Sequence, residues 1–160
     1  MVLGPVKRCV ETVRRPIWSR SFGLNSNEED EGWTEVGCLY AYVEPESDEV
    51  LYIGKAWGKT VRERFDAPDK DDVFARLEAA GYDVGDGGVG VLIGRLILEQ
   101  GTRLTEKLLK DVESLLIYEV EPEGNEQNIY SRGSWRPGLK VQCKRDWPHP
   151  VDTFVDEGQG

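Results

Sequence analysis

The fold is decided by the stretch GCLYAYVEPESDEVLYIGKA, residues Gly37 to Ala56. Its two β-type runs flank the polar turn EPESDE, and alternate residues of a strand lie on opposite faces. In the first run one face carries Leu39, Ala41 and Val43, and the other carries Cys38, Tyr40 and Tyr42. The stretch therefore predicts a hairpin of strands 36–43 and 50–53, and it raises the question of why the hairpin holds tyrosines and the Gly54-Lys55 turn.

Two short helices are predicted after the hairpin. The pattern TVRE, Thr60 to Glu63, is a capping box, so the first helix starts at about Thr60 and runs to Asp66 before Pro68. A second short helix is expected over residues 72–80, closed by Gly81.

A central strand and a long helix follow. The β-branched, apolar run of residues 89–100 predicts the strand, with Gly94 as a candidate bulge. Thr102 or Thr105 is expected to cap the long helix, which ends before Pro122. Its apolar stripe comprises Leu104, Leu108, Val112, Leu115 and Leu116.

This order predicts an α+β fold, with a small, mainly antiparallel three-stranded central sheet flanked by helices. Residues 1–35 show no clear periodicity, so residues 1–32 are expected to form a partly flexible N-terminal extension. The domain proper is predicted over residues 33–130. Residues 131–160 would form a basic C-terminal extension with an acidic tail, with additional strands around residues 139–143.

Composition limits the classes of function. No apolar run in the 160 residues approaches the roughly 18 needed to span a membrane, and the N-terminus lacks a secretory signal, so we expect a cytoplasmic protein without a membrane partner. The three cysteines form no CxxC pair, and His149 is the single histidine. A zinc site and a Ser-His-Asp site are therefore disfavoured, and any metal should be bound by oxygen.

The formal net charge is −10, which opposes nucleic-acid binding, but the charge is unevenly distributed. Residues 129–145 contain basic side chains and no acid. This segment is either a phosphate-binding track or part of a solvated, mixed-charge surface.

Four segments carry a resemblance to a known family. They are GCLY (Gly37 to Tyr40), LYIGKA (Leu51 to Ala56), VRERF (Val61 to Phe65) and VESLLIYEVEPEGNEQN (Val112 to Asn128). In this order and spacing the chain resembles the GIY-YIG nuclease family, from about Trp33 to Ile129. The resemblance implies a GIY-YIG-like fold and metal-dependent hydrolysis of DNA phosphodiester bonds by an activated water.

The resemblance also implies roles for individual residues. Tyr40 would adjoin the attacking water and serve as its base, and Tyr52 would orient water or phosphate. Arg62 would neutralise charge on the scissile phosphate, and Lys55 stands where several relatives carry a lysine. A tyrosine can act as a base only if nearby positive charge favours its phenolate, and Lys55, Arg62 and the metal would have to supply that charge.

Glu113 would hold a single magnesium or manganese ion, and Asn125 would support the site. One carboxylate suits magnesium, which takes few protein oxygens and keeps most of its waters. Without the resemblance, Glu113 reads as a solvated helix residue and Asn125 as turn chemistry after Pro122.

The sequence departs from the family pattern at two points. The first motif reads CLY, with its glycine displaced to Gly37, and Asp66 stands where many relatives place a histidine or tyrosine. Asp66 is either a second carboxylate beside the metal or a helix-surface acid paired with Arg62 at i,i+4. Tyr40 and Tyr52 also fit a plain cross-strand aromatic pair.

The basic segment supplies candidate nucleic-acid contacts, namely Arg132, Trp135, Arg136 and Lys140. Trp135 would stack on a base. Alternatively the extension packs on the sheet, with Trp147 in the core. DNA is the expected partner, with RNA as an alternative substrate and a protein partner as a source of specificity. A non-catalytic module that binds nucleic acid or protein on the same scaffold is the other class of function.

Overall fold

The chain forms an α+β structure in which helices cover both faces of a mixed sheet. The computed structural model describes residues 13–23, 31–84, 89–98, 100–126, 135 and 138–156, with 13–23, 31 and 32 described by their backbone alone. Its elements are β1 (Val13–Gly23), a 3₁₀ helix (Glu31–Thr34), β2 (Cys38–Val43), β3 (Val50–Ala56), α1 (Val61–Phe65), α2 (Asp69–Ala79), β4 (Gly90–Ile97), α3 (Glu106–Val120), β5 (Lys140–Gln142), β6 (Lys144–Arg145) and β7 (Thr153–Val155). Over these ranges no helix has the length and apolar character of a membrane span.

The predicted three-stranded antiparallel unit is confirmed as β3-β2-β4, with β2 in the centre. The sheet continues past β4 in the order β1-β5-β7, and β6 also pairs with β1. β1 is antiparallel to β4, whereas β5 and β6 are parallel to β1. The sheet therefore has more strands than predicted. β3, the second strand of the hairpin, lies at one edge of the sheet.

The strand β1 lies within residues 1–32, where the sequence shows no clear periodicity and no strand was predicted. The backbone of this strand pairs with β4 from Arg15↔Ile97 to Gly23↔Gly90. Pro16 and the arginines of this run weaken the β-signal in the sequence, because proline is depleted in strands and charge breaks the apolar alternation. Pairing with the apolar strand β4 outweighs that local preference.

The predicted alternation of β2 is confirmed, and both of its faces are buried. Leu39, Ala41 and Val43 pack in one core with the apolar stripe of α3. Cys38, Tyr40 and Tyr42 pack in the other core with Val61 of α1 and with Val73 and Leu77 of α2. Tyr40 and Tyr42 of β2 are therefore core residues, and both are 0% exposed.

The helix ends follow the expected chemistry with small shifts. The capping box is formed, since the Thr60 side chain accepts from Glu63 N and the Glu63 side chain accepts from Thr60 N. α2 begins at Asp69, three residues before the predicted start, because Pro68 already has a helical backbone (φ −58°, ψ −28°) and acidic residues stabilise the first turn. The cap of α3 is Thr105, so Leu104 precedes the helix, and its inclusion in the predicted stripe was wrong.

The bulge predicted at Gly94 is absent. Gly94 pairs in register with Leu39 of β2, and the register shift in this part of the sheet lies in β1, between Arg20 and Phe22.

The C-terminal extension packs on the sheet. Its buried residues join the core on the α3 side, and they are Leu139, Val141, Cys143, Trp147 and Phe154. The alternative in which this extension packs on the sheet, with Trp147 in the core, is therefore confirmed for the residues that the structure describes.

Candidate functional site

A cavity of about 530 Å³ lies along the β3 edge, where α2 and α3 approach from opposite faces of the sheet. Its lining residues are Tyr40, Tyr52, Lys55, Trp57, Lys59, Arg64, Asp69, Asp72, Val73, Arg76, Lys110, Glu113, Ile117, Gly124, Asn125 and Glu126. The structure thus brings together five of the six predicted site residues, and Arg62 is the exception. These five come from β2, β3, α3 and the loop after α3.

The hairpin positions its tyrosines by cross-strand pairing. Tyr40 is the partner of Gly54, and Tyr42 is the partner of Tyr52. A Cβ on Gly54 would lie 2.6 Å from both Cζ and Oη of Tyr40, so only glycine lets the Tyr40 ring cross the neighbouring strand. The rings of Tyr40 and Tyr52 are 6.1 Å apart and those of Tyr42 and Tyr52 are 5.3 Å apart. Gly54 and Lys55 therefore lie within β3 and not in the predicted turn, and the glycine makes room for the ring of Tyr40.

A tyrosine that acts as a base needs a lowered pKa, but burial raises the pKa of both phenols. Burial raises the pKa of Tyr40 well above 10, with the neighbouring tyrosines adding to the effect. Burial and the Glu113 carboxylate raise the pKa of Tyr52 to about 12. In the metal-free protein the nearby cations do not offset this effect of burial, so Tyr40 is protonated near neutral pH.

The Tyr40 hydroxyl is a buried polar group in an unusual position. Arg64 and Tyr52 lie close enough to influence its pKa, yet no described group meets hydrogen-bond geometry with it. Buried hydroxyls normally have a partner, since leaving one unsatisfied costs stability. A bound ligand or water is the kind of partner that this position lacks.

Glu113 is a partly buried carboxyl group whose pKa is raised by desolvation. It lies on α3 and lines the cavity, and no described side chain forms a salt bridge with it. Burial raises its pKa to about 7, although Lys55, Lys110 and Arg64 act in the opposite direction. Such a group would gain from a bound cation, which would compensate the desolvated negative charge.

Asn125 fastens the loop after α3 to the edge strand. Its Oδ1 accepts from Ile53 N at 2.9 Å, and its Nδ2 donates to Ile53 O at 2.9 Å. Beside it, Gly124 N donates to Leu51 O at 2.8 Å, and a Cβ on Gly124 would lie 2.7 Å from that oxygen. The side-chain amide thus makes the two backbone hydrogen bonds that a further strand would make with β3. Asn125 is therefore a positioning residue.

Replacing Asn125 by alanine is expected to destabilise the protein by about 2 kcal/mol, because the buried N–H and C=O of Ile53 lose their partners. Urea unfolding monitored by circular dichroism measures this change. Asn125→Asp is the matched variant: it keeps an acceptor for Ile53 N but sets a carboxylate against Ile53 O, so it should be no more stable than Asn125→Ala. A loss below about 0.5 kcal/mol for both variants would contradict the role given to the amide.

The arginine of α1 that lines the cavity is Arg64, two positions after the predicted Arg62. Arg62 lies over the Trp33 ring at 5.1 Å, and its Nε donates to Asp66 at 3.0 Å. The helix-surface reading of Asp66 is therefore the one that fits the structure. Since α1 spans only five residues, its sequence periodicity did not determine which of the two arginines faces the cavity.

Lys70 is a residue that sequence reasoning missed. It is 1% exposed, and its Nζ lies 5.6 Å from the Tyr40 ring and 5.3 Å from the Tyr52 ring. Burial lowers its pKa, and Asp69 lies 3.4 Å from the ammonium. The acidic run DKDD reads as a solvated helix start, so nothing in its pattern indicates that its lysine faces inward.

The cavity has a charge balance opposite to that of the chain. Five of its lining residues are cationic (Lys55, Lys59, Arg64, Arg76 and Lys110), and four are acidic (Asp69, Asp72, Glu113 and Glu126). The whole chain has a formal net charge of −10. Arg76 is held in place by bonds to Gly124 O and Glu126. Local charge at this cavity therefore favours an anion more than the overall composition indicates.

The predicted contacts in the C-terminal extension do not extend the cavity. Trp135 is 3% exposed and packs on Tyr118 with a ring distance of 5.5 Å, so the prediction that it stacks on a base is wrong for this structure. Lys140 lies on β5, three strands from β2 in the sheet order, and does not line the cavity. Arg132 and Arg136 lie outside the described residues.

Comparisons with family models, with curated proteins and with solved structures found no match to this chain.

Proposed function

We propose that the protein is a magnesium-dependent endonuclease of the GIY-YIG type that hydrolyses DNA phosphodiester bonds. One observation carries the proposal: residues far apart in sequence, chosen by their resemblance to the family motifs, line a single cavity. They are Tyr40, Tyr52, Lys55, Glu113 and Asn125. A chance likeness of short motifs gives no reason for a β-hairpin, a helix and a loop to meet in this way.

The cations of the cavity support a phosphate ligand. Arg64 offers a planar fork for phosphate oxygens, and Lys55 and Lys59 are point charges on the strand and turn beside it. Lys55 also pairs with Glu106 at 3.3 Å, which orients its ammonium at the partly exposed rim. In the proposed reaction Arg64 takes the role that the family resemblance implied for Arg62, stabilising charge that develops on the scissile phosphate.

The tyrosines bind and orient rather than remove a proton in this proposal. With its pKa raised by burial, the Tyr40 hydroxyl is a hydrogen-bond donor near neutral pH. Its unsatisfied position supports a hydrogen bond to the attacking water or to a phosphate oxygen. Tyr52 is in ring contact with Tyr40 and only partly buried, which supports a similar orienting role at the mouth of the cavity.

The residues present fit a single magnesium ion. No cluster of three or more metal-binding side chains occurs among the described residues, which disfavours a multi-carboxylate cage. Magnesium requires only one or two carboxylates and keeps several waters. Glu113 would hold the ion, which would supply Lewis-acid stabilisation of the phosphate. Asp69 and Asp72 line the same cavity on the α2 side.

A binding module is the second candidate, and the burial of Tyr40 favours it. This side chain is 0% exposed, so a substrate reaches its hydroxyl only if neighbouring side chains move. A scaffold that keeps the cationic cavity without such movement would bind nucleic acid or an anionic segment of a protein and cut nothing. An RNA substrate shares the same phosphodiester chemistry.

Nicking of supercoiled plasmid DNA, with magnesium and with a chelator, tests the proposal. We expect cleavage only with magnesium, and a loss of about a hundredfold in rate for Arg64→Ala, because one charge-stabilising donor is removed. Arg62→Ala is the matched control, and its rate should stay within about threefold of wild type since its partners are Trp33 and Asp66.

The outcomes separate the two candidate functions. Equal losses for Arg62→Ala and Arg64→Ala would contradict the arginine assignment. Salt-sensitive DNA binding without cleavage under any divalent ion would replace the nuclease by the binding module. Absence of both binding and cleavage would overturn both.

A further inference from the structure

Trp57 is an exposed aromatic side chain at the cavity that none of the motifs assigns. It follows β3 directly, lines the cavity and is 38% exposed. The other exposed large apolar side chains of the described residues are Val36, Ile97, Val151 and Val155. None of these four lines the cavity, and none is aromatic.

Two lysines flank Trp57 in sequence and line the same cavity. Gly58 has φ +73°, a left-handed conformation that glycine adopts without strain, so the chain turns sharply between Trp57 and Lys59. Lys55, Trp57 and Lys59 all line the cavity. Trp57 thus shares the lining of one cavity with two positive charges and with Glu113.

The other tryptophans with described side chains are used differently. Trp33 is 1% exposed, Trp135 is 3% exposed and Trp147 is 8% exposed, and each belongs to a core cluster. Trp57 belongs to neither core cluster and leaves far more of its surface exposed than these three tryptophans. Aromatic faces flanked by basic side chains are the recurring means by which proteins bind single-stranded nucleic acid.

We propose that Trp57 is a stacking platform for an unpaired base, so that the cavity takes single-stranded or locally unpaired nucleic acid in preference to continuous duplex. This inference rests on the proposed function, since Lys55, Lys59 and Arg64 would hold the backbone of the same strand. A paired base has both faces covered by its neighbours, whereas an unpaired base offers a face to the indole. Stacking on an aromatic face is tolerant of base identity, so the preference is for strand structure and not for sequence.

Fluorescence anisotropy with a labelled single strand and the duplex of the same sequence tests the inference, with calcium replacing magnesium to prevent cleavage. Wild type should bind the single strand more tightly. Trp57→Ala should lose about 5- to 100-fold in single-strand affinity and little in duplex affinity, and Trp57→Phe should keep most of the preference. Ile97→Ala, an exposed apolar position away from the cavity, is the matched control and should change neither affinity.

Intrinsic tryptophan fluorescence distinguishes the stacking of a base on Trp57 from a merely structural role of this residue. Addition of the unlabelled single strand should quench wild type, and the quenching should disappear in Trp57→Phe. Unchanged single-strand affinity in Trp57→Ala, or equal losses of affinity for both nucleic acids, would overturn the inference. Magnesium-dependent plasmid cleavage by wild type would in that case leave the proposed function standing. If wild type binds neither nucleic acid and cuts no plasmid, the proposed function fails, and this inference with it.

Discussion

Replacing Glu113 by glutamine is expected to stabilise the metal-free protein by about 3 kcal/mol near pH 8, and to reduce magnesium-dependent cleavage by about a thousandfold. The stabilisation follows from burial, which raises the pKa of Glu113 from 4.5 to about 7. Ionising this carboxyl in the folded protein therefore costs free energy that the neutral amide does not incur.

The pH window follows from the direction of this shift. Between 4.5 and about 7 the folded protein keeps the Glu113 proton that the unfolded chain has already released. Stability must therefore fall as pH rises through this window and level off above it. Below the ordinary value of 4.5 both states are protonated, so wild type and Glu113→Gln should be equally stable there.

Urea unfolding in the presence of a chelator, repeated across this pH range, measures the effect. Glu78→Gln is the matched control, because Glu78 is exposed on α2 and lies away from the cavity. Magnesium should then raise the melting temperature of wild type and not that of Glu113→Gln, since an ion that binds only the folded state stabilises it. A glutamine variant that is less stable than wild type at high pH would contradict the burial argument, and one that still cuts DNA would remove Glu113 from the metal site.

The sequence predicted the parts of the fold that have strong local signals. The hairpin, the Thr60 capping box and the α3 stripe each combine periodicity with turn or cap chemistry, and all three are observed. β1 was missed because its pairing with β4 is a long-range interaction that no local pattern reports. The position of β3 at the edge of the sheet likewise could not be predicted from the sequence.

Some residues of the candidate site could likewise be predicted from the sequence, and others could not. Glu113 and Asn125, which the family resemblance selected, both line the cavity, since one helix and its C-terminal loop fix their spacing. Arg62 was chosen over Arg64 by spacing alone, and a five-residue helix after a loop does not fix the direction of a side chain to that accuracy. Lys70 and Trp57 carry no motif, so only the fold could show that they lie against the tyrosines and the cavity.

The acidity of Tyr40 could not be predicted from sequence either. The hairpin suggested exposed rings beside cations, and exposed phenols could be shifted towards the phenolate. In the structure both faces of β2 are covered, so desolvation is the largest influence on the pKa of Tyr40. The same burial that fixes the ring in place therefore makes it a poor base.

Gly54→Ala is expected to destabilise the protein by about 3 kcal/mol, the largest loss that we anticipate from a single methyl group. The added Cβ would lie 2.6 Å from Cζ and Oη of Tyr40 and 3.0 Å from Cε2, closer than side-chain atoms approach. The Tyr40 ring cannot move aside easily, because it is 0% exposed and lies between Gly54 and the ring of Tyr42 at 5.7 Å.

A double-mutant cycle separates this clash from the general cost of adding a side chain to a strand. Gly54→Ala should cost about 2 kcal/mol less in a Tyr40→Val background, where the ring is absent, and the difference is the coupling energy of the pair. Gly58→Ala is the control for backbone strain: its Cβ meets nothing within 4 Å, so only its φ of +73° should contribute, at about 1 kcal/mol. If Gly54→Ala costs the same in both backgrounds, the glycine of the second motif is not there to admit the tyrosine of the first. A strong coupling would mean that the two motifs constrain each other, because the ring that lines the cavity can lie there only across a strand that has no side chain at that position.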